Sequence, residues 1–199
     1  MPHPEPAAES PAPLRGTARK TLRVFFAAWP DAAARDSLAA LARIVAERTG
    51  GRAPAPENLH LTLAFVGDVA PDSVATLCGI GRAVAAAAVP FTLTLDRIGT
   101  FRGTGIAWAG TTAVPVALAR MAQTLADALA AHEFAIERRA FQPHLTLARQ
   151  CRRRCDVAPG APIAWFANRI VLNVSEPAAG GPRYRAQDGW PLAGADQSS

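Results

Sequence analysis

The pentapeptide His60-Leu61-Thr62-Leu63-Ala64 recurs as His144-Leu145-Thr146-Leu147-Ala148. A repeated word of this length in a chain of 199 residues indicates an internal duplication rather than chance. Side chains two residues apart in a strand lie on the same face. Each copy therefore places a histidine and a threonine on one face and two leucines on the other. We expect the leucine faces to enter a core and the two polar faces to meet across one cleft.

The polar face of the repeat suits acid–base chemistry on an anion. Imidazoles exchange protons near neutral pH, and hydroxyls donate hydrogen bonds to anionic oxygens. For one copy alone, the alternative is a half-buried strand whose polar residues simply meet water. That alternative does not explain why the word is repeated, so we predict a site formed by His60, Thr62, His144 and Thr146.

Composition limits the class of protein. Half of the residues (50%) are hydrophobic, which is enough for one domain or for two small lobes with a shared core. The sequence lacks an apolar run of transmembrane length and the basic-then-apolar order of a signal peptide, and its three cysteines are too few for a disulfide framework. We therefore expect a cytoplasmic protein with no membrane partner. The net charge of +5 suits phosphate-bearing partners, but codon bias explains the arginine-rich composition equally well.

The chain divides into a Pro/Ala-rich tail (1–20), predicted to be disordered, one domain (21–192) and a polar C-terminal tail (193–199). In the first helix, Asp31 is the predicted N-cap, Gly50 and Gly51 end the helix, and the inner face comprises Leu38, Leu41, Ile44 and Val45. Strands and helices alternate, which favours an α+β fold of two lobes related by a pseudo-twofold axis. Strands are predicted over 21–28, 59–66, 91–98, 106–109, 144–149, 164–175 and 184–192, and helices over 32–49, 71–88 and 114–132.

The surroundings of the two repeats resemble the two-histidine (2H) phosphoesterase superfamily, whose signature is His-x-Thr-x twice. Within it, the chain is similar to the bacterial and archaeal RNA 2′,3′-cyclic phosphodiesterases, also called 2′-5′ RNA ligases. The resemblance rests on Asn58-Leu59-His60-Leu61-Thr62-Leu63-Ala64-Phe65-Val66-Gly67 and Phe141-Gln142-Pro143-His144-Leu145-Thr146-Leu147-Ala148-Arg149, together with 23–27, 170–176 and 184–192. It covers about 21–192 and leaves out the N-terminal tail and the segment 151–155.

The resemblance implies a bilobal fold in which two lobes of antiparallel sheet with flanking helices enclose a central cleft. It also implies hydrolysis of RNA-terminal 2′,3′-cyclic phosphates to 2′-phosphates, without metal or other cofactor, and a reverse 2′-5′ ligation. His60 would protonate the departing 3′ oxygen and His144 would activate water, while Thr62 and Thr146 would hold phosphate oxygens. The partners would be RNA or nucleotide ends bearing the cyclic phosphate, and we expect a monomer. The alternatives are an enzyme for another small cyclic phosphate and a nucleotide-binding module without turnover.

Several further residues have two interpretations. Strict alternation places Arg149 with the leucines, whereas a strand end or bulge would turn it into the cleft to bind phosphate. Arg23 is a weaker candidate of the same kind. Phe25, Trp29 and Phe101 could stack on a base or pack in the core, and we favour the core for Phe25.

His132 is expected to serve as a charge partner at the C-terminal end of a helix. Cys151 and Cys155 lack a nearby histidine or a second cysteine pair, so they make a poor zinc site. We expect them to be surface thiols among solvated arginines.

We predict that hydrolysis of a 2′,3′-cyclic nucleotide proceeds at an unchanged rate in excess chelator. Two imidazoles can supply both proton transfers, so the reaction needs no metal-activated water. The measurement is the initial rate with and without chelator. Complete loss of activity that a divalent ion restores would contradict this prediction.

Overall fold

The computed structural model describes residues 21–136, 140–158, 160–179 and 181–194. The predicted tail 1–20 and all but two residues of the predicted tail 193–199 lie outside these ranges. The elements follow in the order β1 (Leu22–Ala28), α1 (Ala32–Thr49), a 3₁₀ turn (Pro56–Asn58), β2 (Leu61–Val69), α2 (Ser73–Ala87), β3 (Phe91–Leu95), β4 (Arg97–Phe101), β5 (Ile106–Gly110), α3 (Val116–Ala131), β6 (His144–Ala148), β7 (Ile163–Ala167), β8 (Arg169–Glu176) and β9 (Arg183–Pro191).

The main sheet joins the two repeat strands at its centre. Its strand order is β4-β5-β6-β2-β1-β8-β9, with antiparallel neighbours throughout, and β3 and β7 form a separate antiparallel pair. The repeat strands β2 and β6 meet through one registered pair, Leu61 opposite Leu145. Because equivalent residues of the two copies face each other, a local twofold axis passes between these leucines. The predicted α+β fold with antiparallel sheets is confirmed.

The helices connect the two halves of this sheet. Helix α1 packs on β6 and β7, whereas α3 packs on β2, so each half of the chain covers a strand of the other half. The leucines of both repeats are buried beneath these helices, as predicted: Leu61, Leu63, Leu145 and Leu147. One hydrophobic cluster therefore extends through both halves of the sheet.

Helix α1 begins and ends where the sequence predicts, but its buried face differs. The Ala34 N–H donates to the Asp31 carboxylate at 2.8 Å, and Gly50 ends the helix with a left-handed φ of 66°. Ile44, predicted to face inward, is 51% exposed. Alanines complete the buried stripe instead, and they follow the helical period better than Ile44 does. The buried residues are Ala34, Leu38, Ala42, Val45, Ala46 and Thr49.

Two strands that we predicted as continuous are each divided between two sheets. The segment 91–98 splits at Asp96 into β3 and β4, and 164–175 splits at Asn168 into β7 and β8. The Asp96 carboxylate accepts from the Thr112 N–H at 2.7 Å, while its own N–H donates to the Gly110 carbonyl at 3.0 Å. These bonds fix a turn at Asp96 and Arg97, the two consecutive polar residues where the apolar alternation of 91–95 is interrupted.

Two glycines of α2 provide a matched test of packing. A Cβ on Gly81 would lie 2.2 Å from the Trp190 ring, whereas a Cβ on Gly79 would meet no atom within 4 Å. Gly81→Ala should lower the free energy of unfolding by about 1–3 kcal/mol through overpacking. Gly79→Ala should raise it by up to about 1 kcal/mol through helix propensity. Urea unfolding measures both variants, and an equal effect of the two would contradict the packing of α2 on β9.

Candidate active site

The four repeated polar residues lie around one cleft. His60 directly precedes β2 and His144 is the first residue of β6, with Thr62 and Thr146 two residues further along. Since Leu61 faces Leu145 in an antiparallel pair, His60 lies on the side of Thr146, and Thr62 on the side of His144. All four side chains line a cleft of about 800 Å³.

Both imidazoles are oriented by the same backbone contact. The Nδ1–H of His60 donates to the Asn58 carbonyl at 2.7 Å, and the Nδ1–H of His144 donates to the Gln142 carbonyl at 2.8 Å. A carbonyl only accepts, so the proton of each neutral ring is on Nδ1 and its Nε2 is left as an acceptor. The Thr62 hydroxyl donates to the Nε2 of His60 at 3.1 Å.

Three aromatic rings surround His60. Ring centroids lie 4.9 Å away for Phe25, 5.0 Å for Trp29 and 5.1 Å for Tyr184. The pKa of His60 is lowered from 6.5 to about 4, chiefly by burial among these rings. The hydrogen bond to the Asn58 carbonyl opposes this shift, and the positive charges of Arg149 and His144 add to it. His60 is therefore neutral in the empty cleft at neutral pH.

The residues considered for base stacking contact the imidazoles instead. Phe25 is 3% exposed, as the core interpretation predicts, and Trp29 is half-buried against the ring of His60. Phe101 meets the ring of His144 edge-on at 4.9 Å. None of the three is among the residues that line the cleft, which leaves Tyr184 as its aromatic lining residue within the described part of the chain.

Both repeat strands carry a β-bulge at the same residue of the repeat. On β2, Ala27 faces Thr62 and Phe26 faces Ala64, so Leu63 is the additional residue. On β6, the pairings Trp108 with Thr146 and Ala107 with Ala148 leave Leu147 as the additional residue. Bulges are frequent beside active sites, where they change the direction of the side chains that follow.

The bulge on β6 determines the direction of Arg149. It reverses the alternation, so that Ala148 follows Leu147 into the core and the next side chain returns to the cleft. Arg149 lines the cleft, which is the second of the two positions considered from the sequence. Arg23 does not line it, because it lies 3.8 Å from Asp68 and above the Phe65 ring.

Sequence reasoning did not single out several residues of the cleft wall. Arg52 joins the wall because its backbone pairs with that of Arg149, and no local motif marks a loop residue of this kind. Tyr184 and Arg183 come from the edge strand β9, and Tyr184 lay within the segments that carried the resemblance. The Asn58 amide donates to the Pro182 carbonyl at 2.8 Å. This bond joins the two rims of the cleft, which are the segment 52–58 and the segment that leads into β9.

The expectation that Cys151 and Cys155 are surface thiols was wrong. Cys151 and Cys155 are half-buried and pack against the core, and burial raises the pKa of the Cys155 thiol. They are held there because the segment folds back on α1 through bonds from the Arg152 and Arg153 N–H groups to the Thr49 carbonyl. His132 is the C-cap residue of α3 through its backbone N–H, and the charge role expected of its side chain stays a prediction.

Across residues 21–136, 140–158, 160–179 and 181–194, no group of three or more His, Cys, Asp or Glu side chains is placed to hold a metal ion. None of the helices described here combines the length and apolar character of a membrane span.

The fold and the paired His–Thr strands define a two-histidine phosphoesterase. The sequence profile of the LigT-like phosphoesterases matches residues 29–108. The RNA 2′,3′-cyclic phosphodiesterase of Escherichia coli K12 is 32% identical over 143 residues, which cover 71% of this chain and 80% of that protein. The chain therefore belongs to the LigT-like phosphoesterase family.

Further comparisons agree with this assignment. The Geobacillus stearothermophilus protein of the same name is 34% identical over 148 residues, or 70% of this chain, but the match spans only 47% of that relative's length. The crystal structure of E. coli LigT complexed with 3′-AMP superposes with a TM-score of 0.80 at 29% identity, over 87% of this chain and 99% of that one. The phosphate complex of the same protein gives a TM-score of 0.76.

The low pKa of His60 predicts an acid-sensitive fold. In the unfolded chain the His60 imidazole takes up a proton below pH 6.5, whereas in the folded chain it does so only near pH 4. The stability that comes from burying neutral His60 is therefore complete above pH 6.5 and is lost as the pH falls toward 4. Relative to His60→Gln, the unaltered chain should lose at most about 3 kcal/mol across this window. Urea unfolding at several pH values measures it, and a difference that stays constant with pH would contradict it.

Proposed function

We propose that the chain hydrolyses terminal 2′,3′-cyclic phosphates of RNA and leaves a 2′-phosphate. The observation that supports this most is the matched pair of imidazoles in one cleft, each with its Nδ1–H donated to a carbonyl and its Nε2 available for proton transfer. Hydrolysis of a cyclic diester needs one group to accept a proton from water and another to give one to the leaving oxygen. A site with two such imidazoles supplies both.

In the proposed mechanism His144 is the general base and His60 the general acid. Water attacks phosphorus and gives a proton to the Nε2 of His144, while the bond from phosphorus to the 3′ oxygen breaks and that oxygen takes a proton from the Nε2 of His60. His60 is neutral in the empty cleft, so it must gain its proton as substrate binds. The negative charge of the bound phosphate favours that uptake because an adjacent anion raises the pKa of an imidazole.

The threonines and Arg149 act on the phosphate oxygens. The Thr62 hydroxyl, which donates to His60 in the empty cleft, turns to a non-bridging oxygen when the phosphate binds and so releases Nε2 for its proton. Thr146 takes the equivalent role from β6. Arg149 lines the same cleft and offers a guanidinium that matches the geometry of phosphate. The same contacts would serve the reverse reaction, the joining of a cyclic end to a 5′-hydroxyl as a 2′-5′ linkage.

The ligands of related structures support the proposed substrate. Structures of E. coli LigT were solved with 3′-AMP, NADP+ and ATP, and we propose that the partners of this chain are likewise nucleotides, at RNA ends that carry the cyclic phosphate. The three cysteines are free, which suits the reducing cytoplasm that we propose as its compartment. The shared core across both halves of the sheet supports our proposal that residues 21–192 form a single domain. We propose a monomer as its state in solution.

Replacement of the histidines tests the proposed function. His60→Ala and His144→Ala should each lower kcat for a 2′,3′-cyclic nucleotide by about 10²–10⁴-fold, because general acid–base groups contribute that much. Thr62→Ala and Thr146→Ala should have smaller effects, since each removes one hydrogen bond to phosphate.

His132→Ala is the matched control, because this histidine lies at the end of α3 and outside the cleft. It should retain the activity of the unaltered chain. Activity near that level in either the His60 or the His144 variant would refute the two-histidine mechanism, and threonine losses above the histidine losses would reverse the assigned roles.

A further inference from the structure

Two arginines lie side by side on one wall of the cleft. The Arg52 N–H donates to the Arg149 carbonyl at 2.8 Å, and the Arg149 N–H donates to the Arg52 carbonyl at 2.9 Å. Residues that exchange both bonds in an antiparallel pair project their side chains to the same face of the sheet. Both residues line the cleft, so both guanidinium groups are available to its contents.

This pair of like charges has no ionic partner among the described residues, where the ion pairs join other side chains. Like charges directly opposite in a sheet are destabilising unless an anion comes between them. On the other rim, β9 contributes the single guanidinium of Arg183, whose cross-strand neighbour Glu176 forms its ion pair with Arg185. Glu57 is the acidic residue among those that line the cleft. The Arg52 wall therefore presents two guanidinium groups to the cleft, against one from β9.

The two arginines differ in how they are connected to the repeat strands. Arg149 directly follows β6, the strand that carries His144 and Thr146, so it lies beside the reacting phosphate. Arg52 belongs to the loop segment that pairs with Arg149, so it continues the same wall away from β6. The cleft volume of about 800 Å³ is toward the upper end of the range for small-ligand pockets, which leaves room beyond one nucleotide.

We propose that Arg52 binds the phosphodiester on the 5′ side of the terminal nucleotide, so that an oligoribonucleotide end is preferred over a free cyclic mononucleotide. This inference rests on the proposed function and names its substrate class. Arg149 holds the reacting phosphate, and Arg52 holds the next phosphate along the strand. A guanidinium suits both because it donates two parallel hydrogen bonds to phosphate oxygens.

The test compares two substrates with the same terminal nucleotide. One is a 2′,3′-cyclic mononucleotide with a 5′-hydroxyl, and the other is a dinucleotide with the same cyclic end and one internal phosphodiester. The unaltered chain should show a higher kcat/KM for the dinucleotide. Arg52→Ala should lower the ratio of the two kcat/KM values by about tenfold or more, since hydrogen bonds between charged groups are worth that much. Arg52→Lys should recover part of the ratio.

Arg183→Ala is the matched control, because it removes the same side chain from the opposite rim, and it should keep the ratio. A dinucleotide with an uncharged methylphosphonate linkage provides a test that needs no variant, and the unaltered chain should treat it like the mononucleotide. An equal loss on both substrates in Arg52→Ala, a ratio that depends on Arg183, or full activity on the methylphosphonate would overturn this inference. Absence of turnover on either substrate by the unaltered chain would instead overturn the proposed function on which it rests.

Discussion

The pairing of β2 with β6 places Leu61 directly opposite Leu145, and the positions of His60, Thr62, His144 and Thr146 follow from this register. The leucines are fully buried on one face of the sheet, and the histidines and threonines occupy the other face, in the cleft. A slip of one residue would bring the leucines into the cleft and the imidazoles into the core. Truncation of one of these buried leucines would lower the free energy of unfolding by about 2–5 kcal/mol, so the core fixes the register. The register in turn brings the histidines and threonines of the two repeats together.

Two local features orient the side chains that this register brings together. The carbonyl two residues before each histidine takes up its Nδ1–H, which leaves Nε2 for the substrate. The bulge at the second leucine of each repeat changes the direction of the strand beyond it, and on β6 it turns Arg149 into the cleft. The two imidazoles nevertheless have different surroundings. Three aromatic rings cover His60 and hold it neutral, whereas the contact partner of His144 is the edge of Phe101.

The sequence predicted those parts of the fold and the site that depend on local patterns. The repeat identified the central strands and the buried leucines, and the capping residues gave the ends of α1. The breaks at Asp96 and Asn168 were not predicted, although two consecutive polar residues interrupt the apolar alternation at each. Two polar residues are also compatible with an exposed stretch of one strand, and long-range bonds decide that the chain changes sheets there. Arg52 was missed for a related reason. Its place in the cleft depends on a backbone pairing with a residue far along the chain, and no local signal records such a pairing.

The position of the phosphate in the product tests the central claim most directly. If His60 protonates the 3′ oxygen while water attacks from the side of His144, the phosphate must remain on the 2′ oxygen. Phosphorus NMR of the product from a 2′,3′-cyclic nucleotide distinguishes the two isomers without further chemistry. The proposed mechanism predicts the 2′-phosphate as the product. A 3′-phosphate would mean that the ribose lies in the cleft in the opposite orientation, as in a ribonuclease, and would contradict the proposed reaction.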